Sequence, residues 1–184
     1  RTLLAGEEIL LDGTRSCLPS GQKAGLNYQW TLSDGSISEG PSVVKKYDSA
    51  GYYSEILKVE DDTGNIDYDF CPVYVIEPGA GAPQQPPTIH ASFHPTIGIR
   101  PGDKVTFKVR SFSIDPREGA ETWNFGDGSP AVKVRSDGNA EIHNPEGYAV
   151  TTHAFREPGC YLVSVSRSDQ AGREATTRLQ VVVE

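Results

Sequence analysis

Long apolar runs are missing from this 184-residue chain. No stretch approaches the ~18 apolar residues of a transmembrane helix, so membrane insertion is not expected. Cysteine is scarce: three are too few for a disulfide scaffold. Basic charge is also short. The chain carries 17 Lys and Arg against 25 Asp and Glu, a net charge of −8. Nucleic-acid binding is therefore disfavoured, because neutralising phosphates needs a basic stripe. The opening residues, Arg1-Thr2-Leu3-Leu4-Ala5-Gly6, lack the apolar centre of a signal peptide, so no targeting segment is expected in this sequence. What the chain has in excess is breakers. Its 19 glycines and 13 prolines forbid a mostly helical fold and fit many short strands joined by turns. A hydrophobic share of 36%, raised by those glycines, still suffices for a globular core, so disorder is not expected.

The chain divides at Glu77-Pro78-Gly79-Ala80-Gly81-Ala82-Pro83-Gln84-Gln85-Pro86-Pro87. This stretch has no large apolar side chain to bury, and its prolines stiffen it into a semi-extended spacer. We read a domain at 1–77, a linker at 78–87 and a second domain at 88–184. Charge is unequal between them: residues 1–77 hold 6 Lys and Arg against 13 Asp and Glu, so nearly all of the −8 belongs to the first domain. A cationic partner or ion would meet that copy.

The two halves repeat each other. Trp30 and Asp34-Gly35 match Trp123 and Asp127-Gly128 at an offset of 93. Gly51, Tyr53, Asp61 and Gly64 match Gly159, Tyr161, Asp169 and Gly172 at 108, and Gly6 matches Gly102 at 96. The second half thus carries a 15-residue insertion between Asp127 and Gly159. Such a repeat means two copies of one domain. Within each copy the hydrophobic period is two, as in Val105-Thr106-Phe107-Lys108-Val109-Arg110 and Tyr161-Leu162-Val163-Ser164-Val165-Ser166. Alternating strands with frequent turn signals indicate a β-sandwich. Asp34-Gly35, Asp127-Gly128 and Asp137-Gly138 suit tight hairpins, since Gly accepts positive φ. The insertion, around 131–148, reads as an added hairpin over Val132–His143.

Trp123-Asn124-Phe125-Gly126-Asp127-Gly128-Ser129, followed by His153-Ala154-Phe155-Arg156-Glu157-Pro158-Gly159-Cys160-Tyr161, closely resembles the polycystic kidney disease (PKD) domain. The first half, with Trp30-Thr31-Leu32-Ser33-Asp34-Gly35-Ser36 and Tyr47-Asp48-Ser49-Ala50-Gly51-Tyr52-Tyr53, resembles a diverged copy. There Leu32 replaces the Phe, Ser33 the first Gly, Lys45 the His and Ala50 the Pro. The resemblance implies an all-β chain of two tandem immunoglobulin-like (PKD-type) β-sandwiches. It also implies a non-catalytic extracellular module, acting as a spacer or protein-interaction domain of a larger secreted or surface protein. The alternative is a carbohydrate-binding accessory module of a secreted polysaccharide-degrading enzyme. The partner is then a protein or a polysaccharide.

Most motif residues read as structural. Trp30 and Trp123 are expected to fill the cores, where a Trp buries up to ~250 Å²; stacking on a ligand is the other use of such a residue. Asp34 and Asp127 are expected to brace their own turns. Tyr53 or Tyr161 is expected to act as the corner tyrosine of a sandwich, and His153 to serve the motif structurally. His90 and His94 have zinc-helix spacing, but on a strand four residues span about 13 Å. A shared ion is therefore not expected. No nucleophile elbow, phosphate loop or calcium loop is present, so no enzyme activity and no resident cofactor are expected.

Similarity to collagenase PKD domains raises calcium as a candidate, with Asp115 and Asp169 as the nameable ligands. A calcium ion takes six to eight oxygens, and the first copy has Pro19 where Asp115 stands. A Cys17–Cys71 bridge would close a long loop and stabilise by a few kcal/mol, although the two lie at different heights in the sandwich. Cys160 reads as a small, partly buried filler. Arg135, His143 and Tyr148 of the insertion, with Tyr68, are the candidate partner or glycan contacts. Glycan binding would need a flat strip of exposed aromatics, for which Tyr52, Tyr68, Tyr74 and Tyr148 are available.

Overall fold

The computed structural model describes residues 2–79, 85–112, 119–142 and 144–184. It forms two compact units, Arg1–Pro78 and Gly79–Glu184. The first unit contains β1 (Thr2–Leu4), β2 (Glu8–Asp12), β3 (Asn27–Thr31), β4 (Ile37–Glu39), β5 (Ser42–Lys46), β6 (Gly51–Glu60) and β7 (Ile66–Ile76). One of its sheets runs β1-β7-β6-β3-β4; the other pairs β2 with β5. The second unit contains β8 (Thr88–His94), β9 (Val105–Phe112), β10 (Gly119–Asn124), β11 (Val132–Ser136), β12 (Ala149–His153), β13 (Gly159–Ser168) and β14 (Glu174–Val183). Its sheets run β14-β13-β10-β11 and β12-β9-β8. The architecture is all-β and sandwich-like, and among the described residues the one helical element is a 3-10 turn at Pro145–Gly147.

The repeat offsets reappear as equivalent bonds. Leu3 lies opposite Val75 in a parallel pairing, and Ile99 bridges Val183 in the same sense. The amide of Gly6 donates to the Tyr47 carbonyl and that of Gly102 to the Phe155 carbonyl, both at 2.8 Å. Positive φ is required at both glycines, 90° and 87°, which is why each copy keeps a residue without Cβ there.

Alternation decides what is inside. In β2, Ile9 and Leu11 are buried while Leu10 faces out; in β9, Val105, Phe107 and Val109 are buried. Both tryptophans lie on the third strand of their unit and are buried. In the second unit they begin an aromatic stack. Trp123 lies parallel to Phe125 at 6.1 Å, Phe125 parallel to His153 at 4.0 Å, and Phe155 against Tyr161 at 4.3 Å. The first unit replaces Phe125 with Leu32 and Phe155 with Tyr47, whose ring meets Tyr53 at 4.6 Å.

Three expectations are corrected. The insertion is not a hairpin over 132–143. Instead β11 pairs antiparallel with β10, Val132 opposite Trp123 and Ser136 opposite Gly119, as β4 pairs with β3. The segment after β11 folds over the outside of β9. Asp137-Gly138 therefore does not make a hairpin turn: the Asp137 carboxylate is taken by the Asn139 amide at 2.8 Å and by the Arg110 guanidinium at 2.8 and 3.1 Å. Arg110 has outward parity in β9, yet it is 3% exposed because this segment covers it. Lastly, Cys160 is exposed rather than partly buried, since its neighbours on β13 and β14 leave it on the outer face.

Candidate functional site

The turn motif comes first. In the second unit the Asp127 carboxylate accepts from the Ser129 amide at 3.0 Å and from its hydroxyl at 2.5 Å, while its other oxygen meets His153 Nε2 at 2.7 Å. In the first unit Asp34 accepts from the Ser36 amide and hydroxyl in the same way, and its second oxygen meets Lys45 Nζ. Lys45 is thus the first copy's answer to His153. The side chain differs, but a side-chain nitrogen reaches the same carboxylate from the same strand position. Both tyrosines make a corner: Tyr53 Oη donates to the Ser49 carbonyl at 2.9 Å and Tyr161 Oη to that of Glu157 at 2.8 Å.

The Lys45 ammonium and the Ser36 donors hold the Asp34 carboxyl far below the usual carboxylate range. At Asp127 burial pushes the pKa up, but the bonds from Ser129 and His153 outweigh it and bring the group down to about 2. In an unfolded chain an Asp titrates near ~3.9. Between those values the native state holds fewer protons than the unfolded one. The carboxylate's contribution to stability is therefore complete above pH ~4 and is lost as the pH falls toward ~2. Asp127→Asn is expected to flatten the urea midpoint of the second unit across this window. An unchanged slope against pH would rule the linkage out.

Two buried acids have no counterpart in the sequence reading. Glu55, 0% exposed, accepts from the Ser33 amide at 2.5 Å, the Ser33 hydroxyl at 2.8 Å and Tyr47 Oη at 2.8 Å. Burial and this acceptor push the Tyr47 phenol far above its ordinary value. Glu121, also 0% exposed, receives Ser111 Oγ at 2.7 Å, Ser136 Oγ at 2.5 Å and Arg167 Nη1 at 2.9 Å, all on Oε1. Parity was the available signal. Glu121 shares its strand face with Trp123, Glu55 with Leu57, and Arg167 with Val163 and Val165, all facing inward. Arg110 carried no such signal, because the segment that buries it comes from elsewhere in the chain. Its guanidinium also donates to the carbonyls of Glu141 at 2.6 Å and Asn144 at 3.3 Å. Gly147 passes so close that a Cβ there would lie 2.5 Å from the guanidinium.

The candidate contact residues do not converge. Arg135 is exposed on β11. Tyr148 is half-buried just before β12, with Arg110 over its ring at 5.6 Å and the edge of His90 at 6.2 Å. Tyr68 belongs to the other unit, on the outer face of β7 opposite Lys58. His143 lies outside the described residues, as does Asp115. Tyr52 and Tyr74 are cross-strand neighbours at 6.2 Å, but their planes are tilted by 57°, and Tyr68 lies about 20 Å further along β7. Asp169 spends one oxygen on the amides of Ala171 and Arg173, both at 2.9 Å, and the other on Arg173 Nε at 2.6 Å. Among the described residues no three His, Cys, Asp or Glu side chains are grouped to hold a metal ion. Cys17 carries a free, exposed thiol, so it forms no bridge to Cys71.

A concavity lies at one end of the first unit. It encloses about 820 Å³ between the 16–26 loop and the β6–β7 hairpin. Leu18, Leu26, Leu57 and Val59 give it apolar walls, and Asp67 and Asp69 stand on the β7 side.

Family models of the PKD domain match residues 1–71 and residues 88–182. The chain belongs to the PKD family. No curated protein matches it. Among solved structures it is similar over its whole length to the fibronectin(III)-like modules of Clostridium thermocellum CbhA, at 12% identity and TM-score 0.38, spanning 88% of that chain. It is also similar over its whole length to Bacteroides ovatus SGBP-B of the mixed-linkage glucan utilization locus, solved with a mixed-linkage heptasaccharide, at 13% identity and TM-score 0.31. A third is dimeric latent PorU from Porphyromonas gingivalis, at 12% identity and TM-score 0.38. The chain spans 42% of SGBP-B and 19% of PorU. Both PKD copies keep the braced Asp-Gly turn, the buried Trp and the corner Tyr. They differ where the first has Val59 lining a cleft and the second has the buried Arg167.

Proposed function

We propose that this tandem PKD chain is a non-catalytic extracellular module, serving as a spacer or protein-interaction domain of a larger secreted or surface protein. The observation that carries this reading is where the motif's polar groups go. Asp34 with Lys45, Asp127 with His153, Glu55 with Tyr47, and Glu121 with Arg167 bond to one another and to their own turns. They hold two sandwiches in shape and do not converge on a substrate-sized cleft. No helix among the described residues is long and apolar enough to cross a membrane, consistent with a module carried by its chain rather than inserted.

The geometry supports docking or spacing over carbohydrate capture, because the tilted Tyr52 and Tyr74 rings offer no flat shelf on which a sugar face can stack. The test is retention of the 184-residue chain on insoluble cellulose, chitin and mixed-linkage glucan. It is expected to stay in solution with all three and to release no reducing sugar. Retention on any of them would replace this reading with the carbohydrate-binding one, and sugar release would make the chain an enzyme.

A further inference from the structure

The two copies treat the same place differently. At the repeat offset, Val59 of the first unit corresponds to Arg167 of the second and Tyr28 to Glu121. In the second unit these positions are filled by the buried Arg167–Glu121 pair, braced by Ser111 and Ser136. In the first unit Val59 lines the open cleft. Asp67 and Asp69, which line it from β7, stand where the second unit has Ala175 and Thr177. At these positions the second unit thus carries its own buried arginine, whereas the first presents carboxylates and an apolar floor with no cation in the lining.

The two carboxylates are placed for a ligand. Asp67 lies opposite Val59 and Asp69 opposite Leu57 in the β6–β7 register, so both have the inward parity of the core residues. Each spends one oxygen on the next backbone amide, Tyr68 N at 2.9 Å and Phe70 N at 2.8 Å. The second oxygens have no hydrogen-bond or ion-pair partner among the described residues. Along a strand the two residues lie about 7 Å apart, a span that one guanidinium or ammonium group can bridge. The third acid of the lining, Asp61, is consumed by Thr63 and Asn65 in the hairpin turn. The cations of the neighbouring loop, Arg15 and Lys23, are outside the lining, and Lys23 donates to the Thr14 carbonyl.

We propose that this cleft docks a basic side chain of a partner polypeptide, an arginine or lysine flanked by apolar residues. The charge sits between Asp67 and Asp69, and the neighbours pack on Leu18, Leu26, Leu57 and Val59. Charge complementarity favours this occupant, because the first unit carries nearly all of the chain's −8. A divalent cation is served poorly by two carboxylates on one strand. The proposal rests on the protein-interaction reading above and specifies its partner.

The experiment follows amide shifts of the 184-residue chain during titration with acetyl-Leu-Arg-Leu-amide and with its uncharged citrulline counterpart. The arginine peptide is expected to shift amides over 65–70 and around Cys17. The citrulline peptide is expected to bind at least about tenfold more weakly, a factor equivalent to ~1.4 kcal/mol. Asp67→Asn with Asp69→Asn is expected to lose a similar factor while its urea midpoint stays near that of the parent, which separates lost binding from lost fold. Equal binding of the two peptides, full binding by the double variant, or no shift at roughly 10 mM peptide would overturn the proposal. Calcium chloride or cellohexaose shifting the same amides in place of the peptide would assign the cleft to an ion or a glycan. Failure of the module reading appears elsewhere, as polysaccharide retention that survives the double substitution.

Discussion

Arg167→Ala is expected to destabilise the second unit by about 3–5 kcal/mol, because it strands the fully buried Glu121 carboxylate without its cation. The serines that remain, Ser111 and Ser136, donate to the same oxygen as the guanidinium, so they do not replace its charge. Each unit holds one of the two tryptophans, which makes Trp123 fluorescence a reporter of the second unit and Trp30 of the first. Urea unfolding should show the Trp123 transition moving to lower urea while the Trp30 transition stays. A loss under about 1 kcal/mol would put the pair in the class of solvent-screened bridges and contradict its burial. The companion variant, Arg167→Val with Glu121→Tyr, copies the residues of the first unit. It is expected to recover much of the loss, since apolar replacement of a whole buried pair is often close to neutral.

Trp123→Ala is expected to cost the second unit about 3–5 kcal/mol, the range for deleting a large aromatic from a core that cannot collapse around the gap. Its indole is 0% exposed and packs against Phe107 at 5.3 Å and Phe125 at 6.1 Å. The same burial removes ligand stacking as a role for either tryptophan. Denaturant midpoints by circular dichroism check the magnitude, with Trp30 again reporting an unaffected first unit. A variant that unfolds at the parental midpoint would mean the aromatic stack is not what holds the two sheets together.

Much of the fold was legible in the amino-acid order because its causes are local. Breakers mark the turns, and the period of two marks the faces of β2, β9, β13 and β14. The offsets of 93, 96 and 108 bring equivalent residues to equivalent bonds, as Gly6 and Gly102 show. The Asp34 and Asp127 turns were readable for the same reason, since a carboxylate bonding two residues ahead is a short-range event. The insertion was misread because Asp137-Gly138 has hairpin chemistry locally, while the Arg110 guanidinium, 27 residues earlier, claims the Asp137 carboxylate. Lys45 looks like a departure from the motif in the sequence, and only its meeting with Asp34 shows that it keeps the motif's contact to that carboxylate.

The sequence by itself determined the class of fold, the number of copies, the family resemblance and the acidic bias of the first copy. The fold class, the copy number and the charge bias follow from composition, period and spacing, and the resemblance from the motif residues themselves; none depends on what lies opposite. The tertiary structure decided which acids are buried and where the first sandwich has its cleft. Glu121 and Arg167 are 46 residues apart in the chain, and Leu18 meets Asp67 across a cleft that no local pattern spans. A charged side chain of inward parity has two outcomes, an internal partner or an unfilled cleft. The choice rests on residues brought in from distant strands, which is why Glu121 meets Arg167 in one copy while Asp67 and Asp69 line a cleft in the other.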